Sequence, residues 1–306
     1  MIGSLIIDKP GGMTSHDVVA RVRRAAATRR VGHAGTLDPF ATGVLVVCIG
    51  RATRLVQFLV GLDKEYLATV RLGYATDTQD LTGKPITPVR SSDEVSLNQL
   101  LSVLNDFKGA QLQMPPMFSA KKIAGERLYQ AAREGREVER PALPITLYSI
   151  ELESEFDVGN DGTRDFVIRV LCSSGTYVRT LAHDIGASLG VGAHLAALRR
   201  TAVGRFKLES ALTLDELELK GREGGIEGLL TSTSDTLAHL PVVRLDDEAV
   251  KRVINGRAVQ PASDELELSQ SNQLPIRLCD RSGELVGVGD YDTRLELIKP
   301  RVVIAE

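Results

Sequence analysis

The chain has 306 residues, of which 43% are hydrophobic and 25% are charged, an ordinary composition for a soluble globular protein. Its three cysteines, Cys48, Cys172 and Cys279, are far apart and form no CxxC pair, which argues against a disulfide framework or a zinc site. No apolar run approaches the roughly 20 residues that a membrane span needs. The start of the chain shows neither a basic leader nor a cleavage-type ending, so we expect a cytoplasmic protein.

The charges are unevenly distributed along the chain, although the net charge is only −3. Residues 1–60 contain eight Lys or Arg against three acidic residues, whereas residues 208–306 contain eleven against nineteen. A protein with a basic N-terminal part and an acidic C-terminal part can bind a polyanion with one face and stay soluble. Charge alone leaves open the alternative of an ordinary solvated surface.

The N-terminal region is predicted to form a strand, a turn and a helix. Residues 2–7 have the pattern of a strand, and the following Pro-Gly-Gly sequence indicates a turn. Thr14 or Ser15 is the expected helix N-cap, with Asp17 in the first helical turn. Apolar residues then recur at helical spacing, with arginines between them.

The segment VGHAGTLDPFATG that follows is rich in glycine and matches neither a helix nor a strand. Residues 44–49 are apolar and mostly β-branched, which predicts a buried strand.

The middle of the chain is predicted to contain three strands and three helices. The strands are predicted at 64–73, 145–156 and 164–171, and the last two are paired through the turn GNDGT. The helices are predicted at 97–106, 126–134 and 177–189. Between the first two helices, the sequence QMPPMFSAKKIAG has two prolines and exposed basic residues, which indicates a loop.

The character of the sequence changes around Pro241. One short helix at 246–255 is followed by strand-like pieces at 276–279, 285–289 and 297–304, which predicts a small β-rich C-terminal module. Strands and helices alternate without the regular rhythm of a doubly wound fold. The predicted fold class is therefore α+β with a mixed sheet.

One loop carries the residues best suited to chemistry, GHAGTLDPFATGVL at residues 32–45. Pro39 favours an extended conformation at Asp38, and the glycines permit a close approach of a ligand. His33 lies on the same loop, which leads directly into the predicted buried strand, a common place for catalytic groups. The alternative is structural: Asp38 and Pro39 begin a turn, and His33 binds a buried carbonyl.

This loop resembles the catalytic motif of the TruB family of pseudouridine synthases, with Asp38 at the position of the nucleophilic aspartate. The resemblance continues collinearly from residue 3 to about 212, and two departures are Phe118 in place of a frequent Tyr and Ala34 in place of a common Thr. The matching segments are LIIDKPGGMTSHDVV, KEYLATVRLGYATDTQDLTG, the RNA-gripping loop QMPPMFSAKK, SSGTYVRTLAHDIG and GAHLAALRRTAVGRF.

The resemblance implies a pseudouridine-synthase fold, in which a largely antiparallel mixed sheet is flanked by helices. It implies a catalytic domain at 1–240 with an RNA-gripping insertion at about 108–142, and a PUA-like RNA-binding domain at 241–306. The C-terminal part of the match is loose.

Three catalytic residues follow from the resemblance. Asp38 is the implied nucleophile, and Arg179 is the implied guanidinium that keeps this carboxylate ionised, since a nearby cation lowers a carboxylate pKa. Tyr66 is implied to stack on the target base. From the residues alone, the preferred interpretation of Tyr66 is a core aromatic of a strand.

Further residues are implied to contact the RNA. His33, Tyr177 and Leu198 match positions around the extruded nucleotide, although Leu198 also fits an ordinary core residue. Lys9 matches a basic residue near the catalytic pocket and is assigned to substrate binding. Arginines of the N-terminal helix, together with Lys121, Lys122, Arg199, Arg200, Arg205 and Lys207, are candidates for phosphate contacts.

The implied reaction converts uridine 55 in the T-loop of tRNA to pseudouridine, with no metal and no cofactor. The uridine lies inside a folded loop, so the enzyme has to extrude it. The C-terminal module is a candidate for contact with the acceptor end of the tRNA. No obligatory protein partner and no membrane are expected, and an accessory tRNA-folding role is compatible with the resemblance.

Three other functions match parts of the sequence. GASLG at residues 186–190 matches the GxSxG pattern of hydrolases through Ser188, but a helix precedes it where that motif needs a strand. A non-catalytic RNA-binding or chaperone protein is disfavoured by the complete set of Asp38, Tyr66 and Arg179. A guide-RNA-directed relative is disfavoured because the chain lacks basic extensions.

Overall fold

The structure is a computed structural model that describes residues 1–118, 138–158, 162–261 and 275–305, and the main chain of 122–123 and 126–127. Most of the strands belong to one nine-stranded sheet with the order β1-β3-β10-β4-β9-β8-β5, in which β2 also pairs with β3 and β11 with β10. The strands are β1 (Gly3–Lys9), β2 (Val31–Ala34), β3 (Thr42–Ile49), β4 (Lys64–Leu72), β5 (Gly109–Gln113), β6 (Lys122–Ile123), β7 (Glu126–Arg127), β8 (Leu143–Val158), β9 (Arg164–Cys172), β10 (Ala193–Val203), β11 (Phe206–Lys207), β12 (Val242–Arg244), β13 (Ile276–Cys279), β14 (Leu285–Asp292) and β15 (Leu297–Val303).

Helices flank this sheet. The described α-helices are α1 (Ser15–Ala25), α2 (Val56–Leu59), α3 (Leu97–Asp106), α4 (Val178–Ser188), α5 (Leu214–Arg222), α6 (Thr233–Thr236) and α7 (Asp247–Ile254). Short 3-10 helices occupy Gly50–Leu55, Leu208–Ser210 and Glu227–Leu229. A helix able to span a bilayer is not found among the described residues.

Strand β3 lies at the centre of the fold because both of its faces are buried. Its even-numbered residues from Val44 to Cys48 pack in one apolar cluster with α2 and the C-terminal sheet. Its odd-numbered residues from Leu45 to Ile49 pack in another cluster with α1 and α5. Successive side chains of a strand point to opposite faces, so a strand buried on both sides needs a continuous apolar run.

Helices α3 and α4 cover the other half of the sheet. Leu100 and Leu104 of α3, and Leu181 and Ile185 of α4, join the apolar residues of β4, β8, β9 and β10 in a third cluster. A capping box at Ser96 fixes the start of α3, whereas the N-cap of α4, Tyr177, makes no side-chain cap hydrogen bond. The start of α4 therefore needs polar partners from elsewhere in the chain.

The C-terminal sheet has four strands in the order β12-β13-β14-β15. Leu285, Val288 and Val302 from this sheet share an apolar cluster with Leu55 and Leu59 beside β3. The C-terminal sheet therefore shares an apolar core with the 3-10 helix and α2 that follow β3.

Most predicted elements are confirmed, and Thr14 is the N-cap of α1 through a capping box with Asp17. The sheet is mixed and largely antiparallel, as predicted, since only β3 and β10 pair in parallel within it. Three predictions fail. Residues 31–34 form the strand β2, which is too short for a periodic pattern, and residues 122–123 form the strand β6 within the predicted loop. Residues 126–127 form a strand where a helix was predicted. The rest of that helix, 128–134, lies outside the described residues.

Candidate active site

The loop between β2 and β3, residues 35–41, presents Asp38 and is called the Asp38 loop below. The amide of Ala41 donates to the carbonyl of Asp38 at 3.1 Å, so the predicted turn forms. The loop ends where β3 approaches β10 in parallel. A Cβ at Gly43 would lie 2.1 Å from the carbonyl oxygen of Arg200, and its φ of +102° also favours glycine, so only glycine permits this approach.

Buried donors hold the backbone of the Asp38 loop from beneath. Lys9, which is 0% exposed, donates from Nζ to the carbonyls of Pro10, Met13 and Pro39. Arg200, which is 1% exposed, donates to the carbonyls of Gly35, Thr36 and Val44. The Ser15 hydroxyl donates to the carbonyl of Leu37 and accepts from its amide. These bonds fix the direction in which Asp38 leaves the loop.

Above the loop, the guanidinium of Arg179 on α4 pairs with the Asp38 carboxylate. Nε lies 3.0 Å from Oδ2, and Nη2 lies 3.5 Å from Oδ1. The Arg179 side chain is 7% exposed and the Asp38 side chain 35% exposed, so the carboxylate retains an open side. The two residues are 141 positions apart in the chain and meet only through the fold.

Arg179 is fixed by a second, buried carboxylate. Its Nη1 lies 3.2 Å from Oδ2 of Asp80 and 3.3 Å from the carbonyl oxygen of Thr78. Its Nη2 also donates to the main-chain carbonyl of Phe118 at 3.0 Å. Both Nη groups of the guanidinium therefore make two hydrogen bonds each, and Nε lies against the Asp38 carboxylate, which restricts the group to one position. The Phe118 contact uses the main chain, so it does not depend on the departure from Tyr at that position.

Asp80 is held in turn by hydroxyl and amide donors. Its Oδ1 accepts from the Thr78 hydroxyl at 2.7 Å, and from the hydroxyl and amide of Thr82 at 2.6 and 2.9 Å. This carboxylate is fully engaged and nearly inaccessible, so it positions Arg179 and does not face the cavity.

Burial raises the pKa of Asp38 above its ordinary value, and the nearby Asp80 acts in the same direction. Arg179 lowers the pKa of Asp38, and Lys9 does so less strongly. The guanidinium thus opposes the effect of burial, and an Asp starting near about 3.9 stays ionised at neutral pH unless the rise is large.

Asp38 opens onto a cavity of about 250 Å³ between the Asp38 loop, β4, β10 and the start of α4. Its wall combines apolar side chains with a few polar groups, the usual composition of a small-molecule site. The lining residues are Gly35, Thr36, Leu37, Asp38, Val60, Lys64, Tyr66, Ser173, Gly175, Thr176, Tyr177, Val178, Arg179, Leu198 and Arg200.

Three of the predicted binding residues line this cavity. Tyr66 and Leu198 are neighbours on β4 and β10, are each 8% exposed, and contribute to the wall of the cavity. Burial raises the pKa of the Tyr66 hydroxyl, which interacts with the guanidinium of Arg200. Tyr177 lies at the N-terminus of α4, half-buried. The structure therefore brings Asp38, Tyr66, Arg179, Tyr177 and Leu198 together around one space.

Two predicted roles do not match the positions of the side chains. Lys9 does not line the cavity, since its ammonium group is occupied by three carbonyls of the backbone. Arg200 reaches the cavity only from below, and with 1% exposure its guanidinium is directed to carbonyls and cannot meet a surface phosphate. Both are cations of the interior, which the sequence does not distinguish from surface cations.

The remaining predicted RNA-binding residues are placed as follows. His33 lies half-buried on β2 and outside the cavity lining, and its Nδ1 has no hydrogen-bond partner within the described part of the chain. Burial lowers the pKa of its ring. Arg199 is 38% exposed and pairs with Asp8 at 2.7 Å. Lys121 lies outside the described residues, and only the main chain of Lys122 is described.

Asp80 and Lys64 are site residues that the sequence analysis did not identify. Asp80 lies between threonines at positions −2 and +2, a pattern that favours local side-chain hydrogen bonds to a carboxylate. Lys64 lines the cavity and donates to the carbonyls of Val60 and Leu62, and burial lowers its pKa to about 8. No pattern in the sequence distinguishes Lys64 from an exposed lysine of a strand.

The fold and this site define a class of protein, and comparison with family models agrees. Residues 23–178 match the TruB family pseudouridylate synthase N-terminal domain. Residues 179–230 match the tRNA pseudouridylate synthase B C-terminal domain, and residues 241–304 match the pseudouridine synthase II TruB C-terminal model. The chain belongs to the TruB family of pseudouridylate synthases.

Curated relatives are similar over nearly the whole chain. A tRNA pseudouridine synthase B of Bacillus pumilus (strain SAFR-032) is 40% identical over 306 residues, covering 99% of this chain and 98% of that protein. The protein of the same name from Bacillus subtilis (strain 168) is 39% identical over 305 residues, with 99% and 98% covered. A third, from Geobacillus thermodenitrificans (strain NG80-2), is 44% identical over 256 residues, with 84% and 85% covered.

Two solved structures with a similar fold are chains of larger complexes. A chain of a Cbf5-Nop10-Gar1 complex has a TM-score of 0.72 and 29% identity, covering 99% of this chain and 84% of that chain. A chain of an H/ACA RNP bound to a substrate RNA containing 2′-deoxyuridine has a TM-score of 0.71 and 26% identity, with 99% and 85% covered. The predicted fold is therefore confirmed along the whole chain.

Proposed function

We propose that this protein isomerises uridine 55 in the T-loop of tRNA to pseudouridine, with Asp38 as the nucleophile. The observation that carries the proposal is the Asp38–Arg179 ion pair, 3.0 Å between Nε and Oδ2, at the wall of a cavity lined by Tyr66, Tyr177 and Leu198. Family membership supplies the class of reaction, and the curated relatives supply tRNA as the substrate.

The reaction breaks the bond between uracil N1 and the ribose, turns the base and joins carbon 5 to the same ribose carbon. Carbon 5 releases its hydrogen as a proton to water, and N1 takes up a proton. The isomerisation needs an ionised nucleophile, a cation that keeps it ionised, and a space in which the base can turn. Asp38 supplies the first and Arg179 the second. Both Nη groups of Arg179 are hydrogen-bonded before substrate arrives, and Nε lies 3.0 Å from Oδ2 of Asp38, so the pair requires little reorganisation.

The cavity suits one extruded nucleotide. At about 250 Å³ it admits a single base and excludes a folded RNA loop, so the uridine has to leave its stack at a cost of a few kcal/mol. Tyr66 offers an aromatic face to the base, and base–aromatic stacking contributes roughly 1–3 kcal/mol. Leu198, beside Tyr66 in the sheet, extends the apolar surface on which the base rests.

Contacts outside the cavity offset the cost of extrusion. We assign these contacts to the basic N-terminal region, to Arg199, and to Lys121 and Lys122 of the predicted RNA-gripping insertion. The PUA-like module at 241–306 is proposed to bind the acceptor end of the tRNA. An enzyme of this kind acts in the cytoplasm, where tRNA is processed.

The test is tritium release from a tRNA transcript that carries uridine labelled at carbon 5. The wild-type protein is expected to release tritium from one uridine per transcript, and a transcript with cytidine at position 55 is expected to release none. Release that persists from the position-55 variant would contradict the proposed site. The absence of any release from the wild-type transcript, with tRNA still bound, would favour the non-catalytic RNA-binding protein.

A further inference from the structure

The start of helix α4 carries two residues of the site, Tyr177 and Arg179, yet it lacks a cap of its own. Tyr177 is the N-cap residue and makes no side-chain cap hydrogen bond. Its carbonyl accepts the first helical hydrogen bond from the amide of Leu181 at 3.1 Å. Among the described residues, the Tyr177 amide has no hydrogen-bond acceptor within α4 or next to it in the sequence. A helix start with an unpaired amide is free to shift, and here a shift would move Arg179.

Gln113 supplies the missing partner from 64 residues away. Its Nε2 donates to the carbonyl of Tyr177 at 3.0 Å, and its Oε1 accepts from the amide of Tyr177 at 2.7 Å. One primary amide therefore pairs with both main-chain polar groups of a single residue, as a neighbouring strand would. The side chain is 5% exposed, so water does not replace these bonds easily.

The position of Gln113 in the chain links two parts of the site. It is the last residue of β5, an outermost strand of the main sheet, and also the first residue of QMPPMFSAKK, the segment predicted to grip RNA. Further along this segment, the carbonyl of Phe118 accepts from Nη2 of Arg179 at 3.0 Å. The root of the segment thus contacts the start of α4 twice, once through the main chain of Tyr177 and once through Arg179.

We propose that Gln113 is a positioning residue for the reaction, which holds the main chain of Tyr177 so that Arg179 pairs with Asp38 and the Tyr177 ring borders the cavity. The inference rests on the proposed function. Gln113 itself does not line the cavity, so it acts through the two residues at the start of α4.

The chain provides a matched control in Gln111. Gln111 is two residues earlier on the same strand and is half-buried on the same side, but its Nε2 donates to the carbonyl of Phe107 at 2.6 Å, outside the site. Replacing either glutamine by Met keeps the volume and removes the amide. Comparison of Gln113→Met with Gln111→Met therefore distinguishes the effect of losing the contact with Tyr177 from the effect of losing any side-chain hydrogen bond on β5.

The experiment measures single-turnover pseudouridine formation on a tRNA transcript across pH, with tRNA affinity and thermal unfolding recorded for each variant. Gln113→Met is expected to lose about tenfold in rate at saturating tRNA, because small displacements of catalytic groups cost rate and not binding. Its acid limb is expected to move to higher pH by about 0.5 pH unit or more, since a looser Arg179 protects the Asp38 carboxylate less. Gln111→Met is expected to match the wild type in both rate and pH profile.

Gln113→Ala serves as a second variant that removes the same two hydrogen bonds should the Met side chain disturb folding. Equal rates and equal pH profiles for folded Gln113 and Gln111 variants would overturn the inference, as would a Gln113 variant that loses only tRNA affinity. An inactive wild-type protein would instead overturn the proposed function. The two failures are therefore distinguishable.

Discussion

The two sides of the Asp38 loop both contain buried cations, but these cations have different partners. Beneath the loop, Lys9 and Arg200 donate to carbonyl oxygens of the backbone. Above it, Arg179 meets the carboxylates of Asp38 and Asp80. A cation that binds carbonyls mainly fixes a conformation, although Lys9 also lowers the pKa of Asp38 less strongly than Arg179 does, and Arg200 interacts with the Tyr66 hydroxyl. A cation paired directly with a carboxylate has the larger effect on the charge of that group.

This difference assigns separate tasks to similar side chains. Removal of a cation beneath the loop should reduce the free energy of unfolding, since buried carbonyls lose their donors. Removal of the cation above the loop should change the rate and its pH dependence far more than the stability. The following four substitutions test this division, from the largest expected effect to the smallest.

Asp38→Asn removes the negative charge of the carboxylate that the buried cations on both sides of the loop hold in position. We expect turnover to fall by at least about a thousandfold, because a nucleophile has no substitute in the mechanism. Folding and tRNA affinity should stay close to wild type, since the amide fits the same space. Tritium release and filter binding measure the two quantities, and a substantially active Asn variant would mean that the nucleophile is misassigned.

Arg179→Ala tests the side above the loop. The rate is expected to fall by about a hundredfold or more at neutral pH, as for other removals of a fixed electrostatic partner. The active form of Asp38 is the carboxylate, so activity is lost as pH falls through the pKa of Asp38. Since Arg179 lowers that pKa, its removal should shift the acid limb of kcat/KM upward by about one to three pH units.

Arg179→Lys is the control for charge without the planar group. It should recover part of the pH shift, because a cation remains, but little of the rate, because an ammonium group cannot make the five directed contacts of a guanidinium. A wild-type pH profile in the Ala variant would contradict the proposed role of the ion pair.

Arg200→Met tests the side beneath the loop. The substitution leaves the carbonyls of Gly35 and Thr36 without a donor in a buried place, so the free energy of unfolding should fall by about 2–4 kcal/mol. Urea unfolding measures this change. The acid limb of the rate should move much less than in Arg179→Ala, and an equal shift in both variants would remove the distinction between the two sides.

Ser15→Ala is the smallest change beneath the loop. The hydroxyl exchanges two hydrogen bonds with the main chain of Leu37, next to Asp38, at 2.9 and 3.2 Å. We expect a loss of about 1–2 kcal/mol of stability and an unchanged pH profile. The matched control is Ser210→Ala, since that hydroxyl donates only to the exposed turn at Lys207 and should have almost no effect on unfolding.

Sequence patterns predicted those parts of the fold in which burial follows a regular period. The continuous apolar run of β3 predicted a strand covered on both faces, and Thr14 with Asp17 predicted the start of α1. The strand β2 was missed because its four residues are too few for a period and its pairing with β3 is a tertiary contact. Hydrogen bonds from a side chain to a distant main chain, such as those between Gln113 and Tyr177, leave no periodic pattern in the sequence.

The sequence predicted the candidate catalytic residues of the site but not the residues that hold them in position. Asp38, Tyr66 and Arg179 were identified from motifs, and the structure places them around one cavity. Asp80 and Lys64 were missed, and Lys9 and Arg200 were assigned to RNA, because a lysine or arginine in a sequence does not show whether its donors meet water, phosphate or backbone carbonyls.

The sequence by itself determined the family, the candidate catalytic residues with the Asp38–Arg179 pair that the resemblance implied, and the order of most strands and helices, since local periodicity and collinear motifs are properties of the chain. Only the tertiary structure decided the geometry of that pair and the acceptors of the other buried cations. Asp38 and Arg179 are 141 positions apart, and Gln113 and Tyr177 are 64 apart. Their contacts exist because strands and helices from distant parts of the chain pack around one buried loop, where each polar group requires a partner.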